Sequence, residues 1–250
     1  MADDYLASLS AQEVANFYRR LASFIKTKVG TDSLASILLL HWLDGKGANK
    51  VFPAKYVRNL SEVQSYLVDT ARPIFLSKKV TPAGSLGGVV PRIKGTIKSN
   101  PAAGPYPMHL EGNVETPLSV QAKLFMGMDV DKQELDALYG LHGFTMICDV
   151  VASATPTQRK GRYAIKFQKW TCKVSDQYHW NPKKHIEVPN PDYGSAAAGA
   201  VQPKDQWITV YHSNAIRVEK AGLAQPFHDE SEPWDETSNF QVAGDTVVDI

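Results

Sequence analysis

The runs TMICDVVAS (145–153) and YAIKFQKWTCKVS (163–175), joined by the polar turn TPTQRKG (155–161), decide how the chain folds. Both runs alternate apolar and polar residues at period two, and the Pro/Thr/Gly turn between them predicts a long antiparallel hairpin. In the second run Tyr163, Ile165 and Phe167 point one way, but the inward set then becomes Trp170, Cys172 and Val174. Side chains of a strand alternate strictly, so this change of parity predicts a β-bulge at Gln168 or Lys169. Pairing about Thr157 to Lys160 brings Cys148 within a few residues of Cys172. Two cysteines make no disulfide framework, and both are expected as buried free thiols that pack as small hydrophobes.

Upstream, Val14, Phe17, Leu21, Phe24 and Ile25 recur at helical spacing between Ser10 and Lys28, and Gly30 ends that helix. A second helix starts near Asp32 or Ser33 and runs through Leu38, Leu39 and Trp42 to Asp44-Gly45. A third spans Ser61 to Thr70, with Glu62 in its first turn and Pro73 closing it. Their apolar faces predict a small bundle. From Val80 to Pro107 prolines and glycines recur so densely that only short strands such as Arg92 to Lys98 fit, which marks a seam. A short helix is expected over Asp131 to Leu141. Beyond the hairpin come a Pro/Gly/Ala-rich loop from Pro189 to Pro203, a strand at Trp207 to Tyr211, a short helix around Ala215 to Ala221 closed by Gly222, and a last strand at Thr246 to Ile250.

The expected fold class is therefore α+β: an N-terminal helical bundle over residues 1–78, then a β-rich region over 79–250 forming an open barrel-like or strongly bent antiparallel sheet, as two domains or one continuous one. Composition excludes several functions. A formal charge of +1, from 27 basic and 26 acidic residues, supplies no broad field for a phosphate backbone, so nucleic acid is not the favoured partner. A local patch of Arg159, Lys160, Arg162, Lys166 and Lys169 is the one feature that points the other way. The longest apolar run, Leu34 to Leu40, is interrupted by Ser36 and followed by His41 and Asp44, far short of the roughly 20 residues of a membrane span. The start Met1-Ala-Asp-Asp4 is acidic where a signal peptide is basic, so the chain is expected in the cytoplasm of the cell that makes it.

The segment Asp176-Gln-Tyr-His-Trp-Asn-Pro-Lys-Lys-His185 collects a carboxylate, a phenol, two imidazoles and two ammonium groups within ten residues. Asp176 with His179 or His185 can orient a water, Tyr178 can donate to a developing oxyanion, and Lys183 and Lys184 can hold phosphate. The competing reading is an ordinary polar strand end, with Tyr178 and Trp180 packed on the core and the lysines in water. Three weaker candidates stand beside it. Gly84-Ser-Leu-Gly-Gly88 lacks both the lysine of a P-loop and the order of a hydrolase elbow. His212 follows a strand and can swing toward the same site. His228, among Asp229, Glu230 and Glu232, can contribute to a metal site, although packed or solvated histidine is the default for both. Trp234 is expected to pin the charged tail from His228 to Glu236 to the body.

Asp176-x-Tyr178-His179, five further residues and His185 resemble the signature of the colicin M family, Asp-x-Tyr-Asp-x5-His-Arg. That resemblance implies a bacterial toxin with a β-rich, open barrel-like domain that cleaves the undecaprenyl-pyrophosphate linkage of lipid II with Mg2+. It further implies an essential pair in Asp176 and His185, assistance from Tyr178 and His179, and phosphate contacts from Lys183 or Lys184. His179 stands at the family's second aspartate and Ile186 at its arginine, which changes the charge pattern of the site. The wider stretch from Leu141-His-Gly-Phe144 through Gly161-Arg-Tyr163 and Pro189-Asn-Pro-Asp192 resembles uncharacterised domains at the toxin end of polymorphic and type VI secretion effectors. The expected partners are then a cognate immunity protein, a secretion apparatus component and a lipid-linked substrate at a membrane surface, with delivery to the periplasm of target bacteria. The alternative is a non-catalytic delivery or binding module of a secretion system.

Overall fold

The hairpin forms two long strands, β3 (Gly143–Pro156) and β4 (Arg162–Tyr178), in antiparallel register with Thr145 opposite Ser175 and Pro156 opposite Tyr163. Val151 faces Lys169 while Ala152 faces Phe167, which leaves Gln168 as the extra residue of a bulge. Its effect is the one the parity change demands: Ile165 and Phe167, then Trp170, Cys172 and Val174 are buried, while Lys166 and Lys169 stay exposed. Gly161 closes the turn at φ 78°, a left-handed conformation that suits a residue without Cβ. Cys148 lies directly opposite Cys172; both are free and buried, with sulfurs 3.8 Å apart.

The computed structural model describes residues 4–75, 105–115, 136, 137, 140, 141, 143–192, 207–237 and 246–249. The strand expected at 92–98, the Gly84–Gly88 loop and most of the helix expected over 131–141 lie outside these residues. The fold is α+β, with helices at the N-terminus and a bent sheet. Among the described residues the sheet path runs β1 (Lys50–Phe52), β7 (Phe227–Ser231), β4, β3 and β2 (Tyr106–Glu115), bent and open and not a closed barrel; β8 (Trp234–Asp235) and β9 (Thr246–Asp249) also pair with β4. The chain divides into two compact units that interleave along the sequence.

One unit comprises Met1–Phe52, Glu115–Gly143 and Asp176–Asp229. Its first helix, α1 (Ala11–Val29), opens on a reciprocal cap: the Ser10 hydroxyl accepts from the Glu13 amide, and the Glu13 carboxylate accepts from the Ser10 amide at 2.7 Å. Val14, Phe17, Tyr18, Leu21 and Ile25 form its buried face, and Gly30 ends it at φ 125°. The second, α2 (Leu34–Asp44), is capped by Ser33 and packs on α1. Asp136 adds a second cap there, accepting from the Leu34 amide and the Ser33 hydroxyl, both at 2.6 Å. Burial still pushes its carboxyl up to about 6, against the pull of those bonds.

In the same unit β5 (His185–Pro189) pairs antiparallel with β6 (Trp207–Tyr211), burying Ile186, Val188, Ile208 and Val210. The helix α5 (His212–Lys220) follows β6 without a break and ends at Gly222, φ 72°. Trp42 of α2 donates to Glu219 of α5 at 2.8 Å, and Arg20 grips Asp192 with two bonds of 2.6 and 2.8 Å. The strand β1 (Lys50–Phe52) pairs with β7 (Phe227–Ser231). Reading 228–236 as a charged tail misses β7. Its alternation sends His228 and Glu230 one way and buried Asp229 the other.

The other unit comprises Pro53–Val114, Phe144–Ser175 and Glu230–Ile250. It holds the third helix, which starts as α3 (Ser61–Ser65), widens into a π-turn at Tyr66–Ala71, and continues as α4 (Arg72–Phe75). Pro73 therefore does not close it. A π-turn loosens the hydrogen-bond ladder ahead of the proline, relieving the clash that its ring makes with the carbonyl four residues back. The long strand β2 (Tyr106–Glu115) neighbours β3, and Tyr66 lies against Gly112, where any Cβ would strike its ring. The edge of β4 away from β3 is covered in turn by β8 (Trp234–Asp235) and β9 (Thr246–Asp249). Trp234 is buried as expected, its ring nitrogen donating to Glu236 at 2.6 Å.

Candidate functional site

At Asp176 the second hairpin strand leaves the unit that holds most of its length, and its alternation continues for two more residues. Gln177 fixes the strand end by donating to the Phe227 carbonyl at 3.1 Å, and Tyr178 stacks on the Phe227 ring with centroids 5.0 Å apart. Trp180 then plunges into the core between Tyr18 and Trp42, at 5.5 and 5.4 Å, and meets His212 edge-on at 4.8 Å. That anchor and the start of β5 pin both ends of a tight turn, in which the Lys184 amide donates to the Asn181 carbonyl at 2.9 Å. Residues 181–184 are exposed because they span two anchors.

The result is a cleft of about 190 Å³ whose polar wall is made by Asp176, Tyr178, His179, Lys184, His185 and His212. Five of the six residues singled out in the sequence are thus brought together; Lys183 is exposed and does not line the cleft. His185 heads β5 opposite Tyr211, their rings 5.6 Å apart. Ile186, where the resembled signature has arginine, points inward from β5 and is buried opposite Val210. An ionised guanidinium in that place would be desolvated, so Lys184 is the cation this wall offers.

Protonation states follow from the surroundings. Burial raises the Asp176 carboxyl to about 6, opposed by the Gln177 amide and by His179 and His228. Asp229 is fully buried with neither carboxyl oxygen hydrogen-bonded, and burial together with the charge of Asp176 raises it to about 8. His212 goes the other way, to about 4, because burial and then Lys184 disfavour its cation, with His185 and His179 adding to the effect. Its Nδ1 accepts from the Asn181 amide at 3.1 Å, which places the proton of the neutral ring on Nε2. His179 is the opposite tautomer: Nδ1 donates to the Gln177 carbonyl at 2.7 Å, leaving Nε2 as the basic nitrogen.

His212, expected as a packed histidine able to swing toward the site, is buried and lines the cleft at once. Asp229 was missed as a companion of Asp176. The signal for it is Phe227-His-Asp-Glu-Ser231, where period two from Phe227 to Ser231 sets Asp229 on the inward side and His228 and Glu230 on the other. Among the described residues no three His, Cys, Asp or Glu side chains group to hold a metal, and Asp176 is the only carboxylate on the cleft wall. No family model, no curated protein and no solved structure matches the chain.

Proposed function

We propose that the chain hydrolyses a lipid-linked pyrophosphate of the bacterial envelope, lipid II, as an antibacterial effector of the kind its signature resembles. The observation that carries this reading is that Asp176, Tyr178, His179, Lys184 and His185 share one cleft. Cleaving a phosphoryl–oxygen bond requires a base for the attacking water, charge stabilisation on the phosphoryl oxygens and a proton for the leaving oxygen. Asp176, held near 6, is ionised at neutral pH yet more basic than an ordinary aspartate, which suits it to take the water's proton. Lys184 faces the phosphoryl oxygens, His185 supplies the proton to the leaving oxygen, and Tyr178 and His179 orient the reacting groups. Any Mg2+ enters with the pyrophosphate oxygens as part of the substrate. A chain acting this way is delivered to the periplasm by a secretion apparatus, and its producer needs an immunity protein.

One observation favours a second reading, that of a non-catalytic delivery or binding module: Ile186 is buried, so the anion-binding arginine of the resembled signature has no counterpart at that position. The two readings separate on growth of a bacterial host carrying the chain with a periplasmic signal, beside Asp176→Asn and His185→Ala variants of equal folding. Lysis by the native chain alone, with loss of lipid II, supports the hydrolase. Equal growth of all strains, with no turnover of lipid II by the purified protein, removes the hydrolase and leaves the binding module.

A further inference from the structure

Asp229 and Asp176 occupy neighbouring positions on one buried face. Tyr178 of β4 and Phe227 of β7 stack with their planes 15° apart, so they lie on the same side of the sheet. Two residues back along β4 and two forward along β7, alternation returns to that side and delivers Asp176 and Asp229 as cross-strand neighbours. Asp176 opens to the cleft, whereas Asp229 is 0% exposed and neither of its oxygens is hydrogen-bonded. A bare buried carboxylate is among the costliest groups a fold can hold, and a second negative charge beside it raises the cost again. An asparagine or leucine would sit there more cheaply, so a carboxyl under the floor of a cleft calls for a reason.

We propose that Asp229 and Asp176 form one carboxyl pair holding a single proton at neutral pH, and that this proton keeps the cleft receptive to phosphate and pyrophosphate anions. The inference rests on the phosphate reading of the cleft above. With Asp229 neutral, the wall presents one carboxylate against Lys184, and the rings of His179 and His185 offer hydrogen bonds to an anionic ligand. When Asp229 ionises in alkali, a second negative charge appears beneath the same wall, and the ligand is repelled. Among the described residues the other titratable groups about the pair are His179, from the loop after β4, and His228 on β7, with Tyr178, Lys184, His185 and His212 lining the cleft. Burial and mutual repulsion place the two ionisations near 6 and 8, which agrees with one proton on the pair at pH 7. Asp229 acts through Asp176 and through the field in the cleft, and is a positioning residue.

Two measurements on the full chain test this. Carbon-13 NMR of the aspartate side-chain carboxyls, from pH 4 to 9.5, should show a step near 8 that Asp229→Asn abolishes and Asp176→Asn moves to lower pH. Calorimetric titration with inorganic pyrophosphate at pH 7.5 and 9.5 should show native affinity falling about tenfold more than that of Asp229→Asn, the size expected for one added charge at short range. The comparison between proteins cancels the ligand's own titration. Ionisation of both aspartates in the ordinary carboxylate range would overturn the pair. Equal pH dependence in native protein and variant would overturn the gating. Absence of pyrophosphate binding to the native chain at pH 7.5 would remove the phosphate reading and the gating with it, while the NMR step still decides the pair.

Discussion

Replacing Asp229 by asparagine should change how stability depends on pH. The native carboxyl titrates near 8 and the unfolded one near 3.8, so between those values the folded chain holds a proton that the unfolded chain has released. Stability is therefore fully present below 3.8 and falls as pH rises toward 8, with a slope of about 1.4 kcal/mol per pH unit for one proton. Asparagine keeps the shape and has no proton to lose, so this slope disappears in the variant. Asp136 and Asp176, also raised, contribute between 3.8 and about 6 in both proteins and cancel in the difference. Urea unfolding at pH 5, 6 and 7 should then show the variant gaining about 3 kcal/mol on the native chain across those two units. At pH 4 both side chains are neutral, and the two proteins should agree to within about 1 kcal/mol. Parallel pH profiles would refute the reasoning, because they would mean that Asp229 ionises in the folded chain as easily as in the unfolded one.

Deleting Gln168 removes the bulge and reverses the parity of one half of β4, so the deleted chain should fail to fold cooperatively, as circular dichroism would show; a native-like melt would disprove the assigned register. Asp136→Ala strips two bonds from the start of α2 and should cost about 1–3 kcal/mol in urea unfolding, whereas Asp136→Asn should recover part of the loss. Trp180→Ala should cost about 3–5 kcal/mol and increase protease cutting at 181–184, since the ring anchors that turn; unchanged cutting would show that β5 alone holds it. Cys148 and Cys172 should resist a water-soluble thiol reagent until the chain is unfolded, and rapid labelling of native protein would contradict their burial.

The parts of the fold legible in the sequence are those whose pattern is local. The spacing of Phe17, Leu21 and Ile25 with Gly30 beyond them defines α1 within a residue, and the parity change places the bulge at Gln168 or Lys169, where the register selects Gln168. What escaped depends on partners distant in the chain. Residues 106–115 follow a Pro/Gly-rich seam and contain Gly112, which reads as a strand breaker; its place against Tyr66, far back in the sequence, explains why glycine is needed there. The β5 strand carries no assignment in the sequence reading because His185, Glu187 and Pro189 interrupt its pattern, although Ile186 and Val188 alternate inward. Pro73 was read as a terminator because nothing in the sequence announces a π-turn.

The site divides in the same way. Asp176, Tyr178, His179, Lys184 and His185 are close in sequence and needed only a strand end and a turn to meet, so their density was visible. His212 and Asp229 reach the same place from β6–α5 and from β7, and no spacing rule links them to residue 176. Each looks ordinary alone: a histidine after a strand, an aspartate in an acidic run. Their character comes from burial, which drives the imidazole toward its neutral form and the carboxyl toward its protonated one. Burial also decides what the cleft can offer an anion. The neutral His212 contributes a hydrogen-bonding ring in place of a charge, so among the described residues the attraction must come from Lys184. Under the proposed pairing, that attraction weakens when Asp229 loses its proton.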